Sequence, residues 1–149
     1  MGRGRGNRGQ APRKRGSAGQ NRAASEDHLA RNAQRDEVVV TPSGLQIETL
    51  AEGDGAQPHA QSIVTTHQRA WLVNGTVIQD TFKDHRPERF ALSECVPGFR
   101  EGLLGMRVGG RARLTVPSDL AWGRKGAGSK IGPHQVIIFD VRLLAVADA

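Results

Sequence analysis

The run from Val96 to Gly110 constrains the fold of this chain more than any other part of the sequence. It reads V-P-G-F-R-E-G-L-L-G-M-R-V-G-G. Val96, Phe99 and Leu103 recur at the spacing of one helical face, Pro97 suits a first helical turn, and the glycine after the second leucine can end the helix. The alternating apolar residues that follow indicate a half-buried strand. The run therefore predicts a short helix that lays an aromatic ring on a sheet, as the floor of an apolar pocket.

Length and composition favour a single soluble domain. The 149 residues allow one ordinary domain with extra sequence, and the single Cys95 excludes an internal disulfide, which suits a reducing compartment. The N-terminus alternates Gly and Arg where a secretory leader would be apolar, and no apolar run approaches the roughly 20 residues that span a bilayer. We therefore predict a cytoplasmic protein with no membrane contact.

The positive charge is concentrated at the N-terminus. Residues 1–24 carry seven cations and no acid, whereas the other 14 Lys and Arg residues face 15 Asp and Glu residues. The seven are Arg3, Arg5, Arg8, Arg13, Lys14, Arg15 and Arg22. With almost no apolar side chains to offset its ordering entropy, this Gly/Arg-rich tail is predicted to be disordered.

Three roles are open for the tail. Guanidinium groups pair with phosphates and stack on bases, so it could bind RNA or a ribosome, mostly without sequence preference and with a steep salt dependence. It could instead be a solubilising arm without a fixed partner. Binding to a membrane surface ranks last, because no amphipathic apolar face accompanies the charge.

The remaining pattern predicts a mainly antiparallel β domain. Residues 25–40 are assigned to a linker or a short docking helix, because Ser25 to Glu37 fits about three helical turns but has few apolar residues to bury. Lys83 to Glu88 is assigned to a polar loop and Gly123 to Pro133 to a long Gly-rich loop. The predicted strands fall near 38–40, 44–50, 62–72, 77–78, 90–92, 111–116 and 136–144, with a hairpin at Asn74-Gly75. The predicted class is α+β, with a strongly curved antiparallel sheet wrapped around one short helix and a disordered N-terminal tail.

Several motifs in order then carry a family resemblance. They are G-L-Q at Gly44, His67 spaced from Asn74-Gly75-Thr76, V-P-G-F-x-E-G-L at Val96, M-x-V-G-G at Met106, L-A-W-G at Leu120, I-G-P-H at Ile131 and I-I-F-D-V-x-L-L at Ile137. The chain resembles the FKBP-type peptidyl-prolyl cis-trans isomerases across about Thr41 to Val146, so residues 41–149 are assigned to that domain. The junction before it resembles that of bacterial members like the macrophage infectivity potentiator. Those often carry an N-terminal dimerisation region, in whose place this chain is expected to have the basic tail.

The resemblance implies an enzyme that needs no cofactor and no metal. The X-Pro amide has a rotation barrier of about 18–20 kcal/mol, and lowering it requires no nucleophile or covalent intermediate. An apolar pocket that grips the proline ring and removes water from the amide would favour the twisted transition state. The implied partners are polypeptides that contain X-Pro bonds, with an apolar residue before proline, and the implied role is assistance in protein folding. The protein is expected to be a monomer.

The resemblance also implies a set of pocket residues. Phe99 would be the floor, with Ile78, Val96 and Phe139 in the walls, Cys95 at the flank and Ile131 at the exit of the Gly-rich loop. The backbone N–H of Val96 and the side chain of Trp122 match positions that donate to ligand carbonyls. The full candidate set is Gln68, Ile78, Gln79, Cys95, Val96, Phe99, Trp122, Ile131 and Phe139.

Departures from the family pattern predict reduced turnover. Gln68 stands where members usually carry Tyr, and Ile78-Gln79 replaces an aromatic-acid pair. Glu88 occupies another frequently aromatic position. Gln68 and Gln79 could also simply hydrogen-bond to each other, and the apolar candidates would suit the core of any β protein. The alternative hypothesis is a non-catalytic module that binds proline-containing or extended apolar peptides.

Overall fold

The computed structural model describes residues 15–148, which form a seven-stranded antiparallel sheet with three helices. The strands are β1 (Val38–Val40), β2 (Gln46–Ala51), β3 (Ser62–Leu72), β4 (Val77–Asp80), β5 (Glu88–Ala91), β6 (Arg111–Val116) and β7 (Ile137–Asp148). The helices are α1 (Ala18–Ala33), α2 (Thr81–Asp84) and α3 (Pro97–Leu104), with single 3₁₀ turns at Leu92–Glu94 and Ser118–Leu120. The predicted α+β class with an antiparallel sheet is confirmed.

The sheet order places the last strand near the centre. The strands run β1-β2-β6-β7-β3-β4, and β5 pairs with β3 beside them. The side chains of Val141 and Leu143 on β7 are completely buried, as the apolar sequence of that strand predicts. Neighbouring β3 and β7 pair from Ser62 against Asp148 to Leu72 against Ile137. This long pairing supports the walls of the pocket described below.

Helix α3 lies very close to β6 because two glycines face the strand. Phe99 and Leu103 are buried on the same side, as their spacing predicts. A Cβ atom added at Gly98 would overlap Cγ1 of Val116, and one added at Gly102 would overlap the side chain of Leu114. The two glycines therefore determine how closely α3 approaches the sheet, and with it the position of the Phe99 ring.

Helix α1 begins seven residues before the predicted start. It runs from Ala18, with the hydroxyl of Ser17 accepting a hydrogen bond from the N–H of Gln20 at 3.2 Å. The sequence prediction missed this N-cap and the helix-forming residues after it, because they lie in the positively charged segment that was assigned to the tail. Residues 18–24, predicted to belong to a disordered tail, are helical, whereas the same prediction for residues 1–14 lies outside the described part.

Polar side chains dock α1 onto the domain. Ser25, only 7% exposed, donates through Oγ to the carbonyl of His134 at 2.8 Å and accepts from the N–H of Val136 at 3.0 Å. Asn21 donates to the carbonyl of Pro133 at 3.0 Å, and Asn32 donates to Oε1 of Gln46 at 2.7 Å. The helix therefore fits the docking alternative of the sequence prediction, although it buries hydrogen bonds and little apolar surface.

Replacing Ser25 with alanine should weaken this docking measurably. The change leaves the buried N–H of Val136 without its acceptor, which costs about 1–3 kcal/mol of unfolding free energy. Chemical denaturation of the variant measures the loss. Ser129→Ala, at an exposed serine in the Gly-rich loop, is the matched control and should change stability by no more than about 0.5 kcal/mol. Equal stability of both variants would contradict the docking role.

The polar segment after β4 is partly helical. Residues 81–84 form α2, and the last two of them fall within the loop predicted at Lys83 to Glu88; the carboxylate of Asp80 accepts from the N–H of Lys83 at 3.1 Å. Thr81 is buried and accepts from the N–H of Gln68 at 2.8 Å, which ties the turn to β3. The Gly-rich loop keeps an isolated pairing of Ala127 with Ile131. Within residues 15–148, no helix is both long and apolar enough to cross a membrane.

Candidate functional site

A cavity of about 330 Å³ opens beside the N-terminus of α3. Its base is aromatic: the rings of Phe99 and Phe139 stack with centroids 4.3 Å apart, and Phe90 stacks on Phe99 at 6.0 Å. The lining residues are Gln68, Glu88, Phe90, Glu94, Cys95, Val96, Phe99, Trp122 and Phe139. A volume of this size suits a side chain such as a proline ring together with its flanking amides.

The structure brings six of the nine candidate residues to this cavity. They are Gln68, Cys95, Val96, Phe99, Trp122 and Phe139. Ile78 and Ile131 pack with the hydrophobic core and do not line the cavity, and Ile131 is only 5% exposed. Gln79 contributes indirectly, as a partner of Gln68. The wall and exit roles expected of Ile78 and Ile131 toward a substrate therefore stay predictions.

Three lining residues were absent from the candidate set. Glu88 and Phe90 are two apart on β5, so both side chains point to the same face and into the cavity. Glu94 belongs to the 3₁₀ turn that leads into α3. The alternation of Glu88 and Phe90 was visible in the sequence, whereas the approach of β5 to α3 was not. The cavity therefore contains two carboxylates, although the sequence suggested that this pocket had lost its acid.

A network of amide side chains surrounds one of these carboxylates. Gln68 is 2% exposed, and its Nε2 donates to Oε1 of Gln79 at 3.0 Å and to Oε1 of Glu88 at 2.5 Å. The Oε1 atom of Gln68 in turn accepts from the hydroxyl of Thr66. The expected hydrogen bond between the two glutamines is present. Buried polar groups satisfied in this way hold one another in fixed positions.

The entrance of α3 offers a backbone donor to the cavity. Val96 precedes Pro97 as the N-cap of α3, in an extended conformation with φ −61° and ψ 148°. Among residues 15–148, the N–H of Val96 makes no backbone hydrogen bond, while its carbonyl accepts from the N–H of Arg100 at 3.0 Å. An N–H free of protein acceptors beside an apolar cavity can donate to a ligand carbonyl.

Cys95 is held as a neutral thiol. Burial raises the pKa of the Cys95 thiol to about 11, against a smaller opposing effect from the charge of Arg100. The Sγ atom lies 3.8 Å from the carbonyl oxygen of Ala91. Such a residue is an apolar part of the wall and a poor nucleophile at neutral pH.

Alkylation of Cys95 should therefore be slow at neutral pH, and its rate should increase only at high pH. Since burial favours the neutral thiol, the thiolate fraction at pH 8 is about 100-fold lower than that of a thiol with the ordinary pKa of 9.0. The iodoacetamide reaction rate, followed by mass spectrometry, should keep increasing up to about pH 11. The unfolded protein in guanidinium is the control and should level off near pH 9. A plateau at that lower pH in the folded protein would show the thiol to be unperturbed.

Outside this cavity, the described part of the chain has few other candidate sites. Residues 15–148 contain no group of three or more His, Cys, Asp or Glu side chains placed to hold a metal ion. A second cavity of about 160 Å³ lies behind the C-terminal end of α3, with Met106 and several glycines in its wall. It has no aromatic ring in its lining, so the aromatic cavity is the better candidate for a peptide.

Comparison with known proteins matches both parts of the chain to family models. Residues 55–144 match the model described as FKBP-type peptidyl-prolyl cis-trans isomerase. Residues 7–48 match the model described as the domain amino terminal to FKBP-type peptidyl-prolyl isomerase. The expectation that the basic tail replaces an N-terminal region is therefore corrected, because part of that region is present by sequence.

Individual relatives agree with these models. The chain is 39% identical over 126 residues to the probable FKBP-type peptidyl-prolyl cis-trans isomerase FkpA of Neisseria meningitidis, covering 85% of this chain and 46% of that protein. It is 36% identical to the outer membrane protein MIP of Legionella longbeachae over 132 residues, which cover 89% of this chain and 57% of that one. The crystal structure of FkpA from Escherichia coli superimposes with a TM-score of 0.85 at 29% identity, covering 89% of this chain and 62% of that chain. The chain thus spans about half the length of the curated relatives it matches.

The predicted cytoplasmic location is wrong. The similar proteins include one that is named an outer membrane protein, and none of the findings supports a cytoplasmic location. The prediction relied on a single cysteine and on the absence of an apolar leader. A lone free cysteine is compatible with either redox environment, so composition had little power to decide this point.

Proposed function

Because the chain belongs to the family of FKBP-type peptidyl-prolyl cis-trans isomerases, we propose that it catalyses rotation about X-Pro peptide bonds and assists protein folding. The observation that carries the proposal is the aromatic cavity, in which the ring of Phe99 stacks on the ring of Phe139. No cofactor or metal enters the proposed reaction.

The geometry supports catalysis by differential binding. A proline ring seated on Phe99 would bring its amide into an apolar environment, where the charge-separated planar form loses solvation. The N–H of Val96 would donate to a substrate carbonyl and hold the chain while the amide twists. Trp122, which lines the cavity and immediately precedes the Gly-rich loop, would add an indole donor. Every group acts without forming a covalent bond.

The replaced polar positions predict a slower enzyme than a member with the usual residues. Gln68 and Gln79 bond to each other and to Glu88, so they present a fixed polar side to the cavity where the family usually has aromatic rings and an acid. A non-catalytic module that binds proline-containing peptides is the second candidate function, favoured by the same observation.

An NMR exchange experiment distinguishes the two functions. With a peptide of the Ala-Leu-Pro-Phe type, micromolar protein should raise the cis–trans exchange rate above the uncatalysed value. Peptide shift changes without any acceleration would overturn the isomerase and support the binding module. The double variant Ile78→Phe, Gln79→Asp should increase turnover if those positions limit it, and unchanged turnover would show that they do not.

The basic tail supports a second, separable proposal. We propose that residues 1–24 bind RNA or a ribosome through phosphate contacts, with the domain as a monomer. Five of the seven cations lie outside the described residues. Nη2 of Arg15 donates to the carbonyl of Lys125 at 2.5 Å, and Nη2 of Arg22 lies 3.1 Å from Nε2 of His134. RNA binding in a salt series with and without residues 1–14 tests the proposal, and equal affinity would contradict it. Light scattering tests whether the protein is a monomer in solution.

A further inference from the structure

Two carboxylates line the aromatic cavity without forming an ion pair. Glu88 and Glu94 both line the opening, and neither forms an ion pair with Lys, Arg or His within 4.0 Å among residues 15–148. All other lining side chains are neutral. A peptide that binds in this cavity therefore passes two carboxylates.

Glu88 is held in place by neutral groups. Its Oε1 accepts from Nε2 of Gln68 at 2.5 Å and from Nε2 of Gln79 at 3.4 Å. Amide donors orient a carboxylate but leave its charge in place, so Glu88 keeps a negative charge in a fixed position in the lining of the cavity. Gln68 is almost completely buried, which makes this orientation part of the fold.

The strand geometry places this charge next to the proline site. Glu88 and Phe90 point to the same face of β5, and the Phe90 ring stacks on Phe99. Glu94 lies two residues before Val96, whose N–H is the proposed donor to the substrate backbone. The side chains of the substrate residues before and after a bound proline would therefore lie near both carboxylates.

We propose that these carboxylates select X-Pro segments in which a Lys or Arg lies immediately before or after the proline. This inference rests on the proposed function and differs from the expectation, made from the sequence, of an apolar residue before proline. The long side chain of Lys or Arg can follow the apolar wall while its charged group reaches the rim. Glu88 and Glu94 are specificity-determining residues in this scheme and take no part in the bond rotation.

Two peptide series test the selection. One compares Lys, Leu and Glu before proline, and the other compares the same residues after it, all by protease-free NMR exchange with the full chain. The Lys peptide of at least one series should have a kcat/KM about threefold to tenfold above its Leu counterpart, the range expected for one or two half-exposed ion pairs. The Glu peptide should be the slowest, and higher salt should reduce the differences.

Charge-removing variants assign the effect to the rim. Glu88→Gln keeps the size of the side chain and an acceptor for Gln68, and it should bring the Lys-to-Leu ratio toward one, as should Glu94→Gln. Glu37→Gln removes an exposed charge in the turn before β1, away from the cavity, and is the control whose ratio should match the wild type. If Glu88→Gln lowered kcat/KM equally for all three peptides, Glu88 would have a purely structural role and the proposal would be overturned.

The outcomes separate the inference from the function on which it rests. Equal acceleration of the Lys, Leu and Glu peptides in both series would overturn the selection and leave the isomerase intact. If none of the peptides were accelerated, the isomerase function would be overturned. NMR titration would then measure the affinities of the same peptides and test the selection in that way. Tighter binding of Lys peptides would support it, and equal affinities would refute it.

Discussion

Replacing Phe99 with alanine should lower isomerase activity roughly 100-fold, since the loss of about 2–3 kcal/mol of apolar contact in the transition state corresponds to that factor. The Phe99 ring is the floor of the cavity and stacks on both Phe90 and Phe139. Without it the proline ring has no surface to pack against, and water reaches the amide. The NMR exchange assay with the Leu-Pro or Lys-Pro peptide measures the loss.

The same change also threatens the fold, so the design needs two controls. Truncating a buried Phe costs about 3–5 kcal/mol of stability, and circular dichroism must show that the variant is folded at the assay temperature. Phe99→Trp, which keeps an aromatic ring at the floor of the cavity, should retain most activity. Phe82→Ala removes an aromatic ring from the other side of the sheet, where it stacks on His67, and should leave exchange rates close to the wild type. An active Phe99→Ala variant would refute the aromatic floor.

Gly102→Ala should destabilise the domain, although alanine is the better helix former. Alanine in a helix interior normally gains about 1 kcal/mol over glycine, but overpacking a core costs about 1–3 kcal/mol. The added Cβ overlaps the side chain of Leu114, which is completely buried. We expect the overlap to prevail, with a net loss of up to about 2 kcal/mol in the free energy of unfolding.

The neighbouring glycine of α3 is a matched control. At Gly105, the C-cap, an added Cβ would come no closer than 3.7 Å to another atom, and φ is −89°, so Gly105→Ala should be neutral within about 0.5 kcal/mol. Leu114→Val shortens the side chain that the new Cβ meets. It should therefore cost less in the Gly102→Ala background than in the wild type, as measured by a double-mutant cycle. Strictly additive effects would show that the helix shifts elsewhere.

Local patterns predicted the elements of the fold well. The spacing of Phe99 and Leu103 predicted α3, and the apolar run at the end of the chain predicted a central strand, because burial on a regular element leaves its period in the sequence. The start of α1 was missed for the opposite reason. Its contacts are made by Ser25, Asn21 and Asn32, and polar side chains that dock by hydrogen bonds have no hydrophobic period to read.

The cavity could be predicted only in part. Family motifs led to Phe99, Val96, Phe139 and Trp122, all of which line it. They also suggested Ile78 and Ile131, which do not line it. Glu88 was recognised as a departure from the family pattern, yet its direction became evident only when β5 was placed against α3.

By itself, the sequence determined the strands, the helix under the pocket and the family, because these depend on residue order along single elements. The tertiary structure decided what the pocket presents to a substrate. Whether Glu88 faces solvent or the cavity depends on which strands meet and on the buried amide of Gln68 that holds its carboxylate. Contacts between residues distant in the chain leave no local period, so they become visible only once the chain is folded.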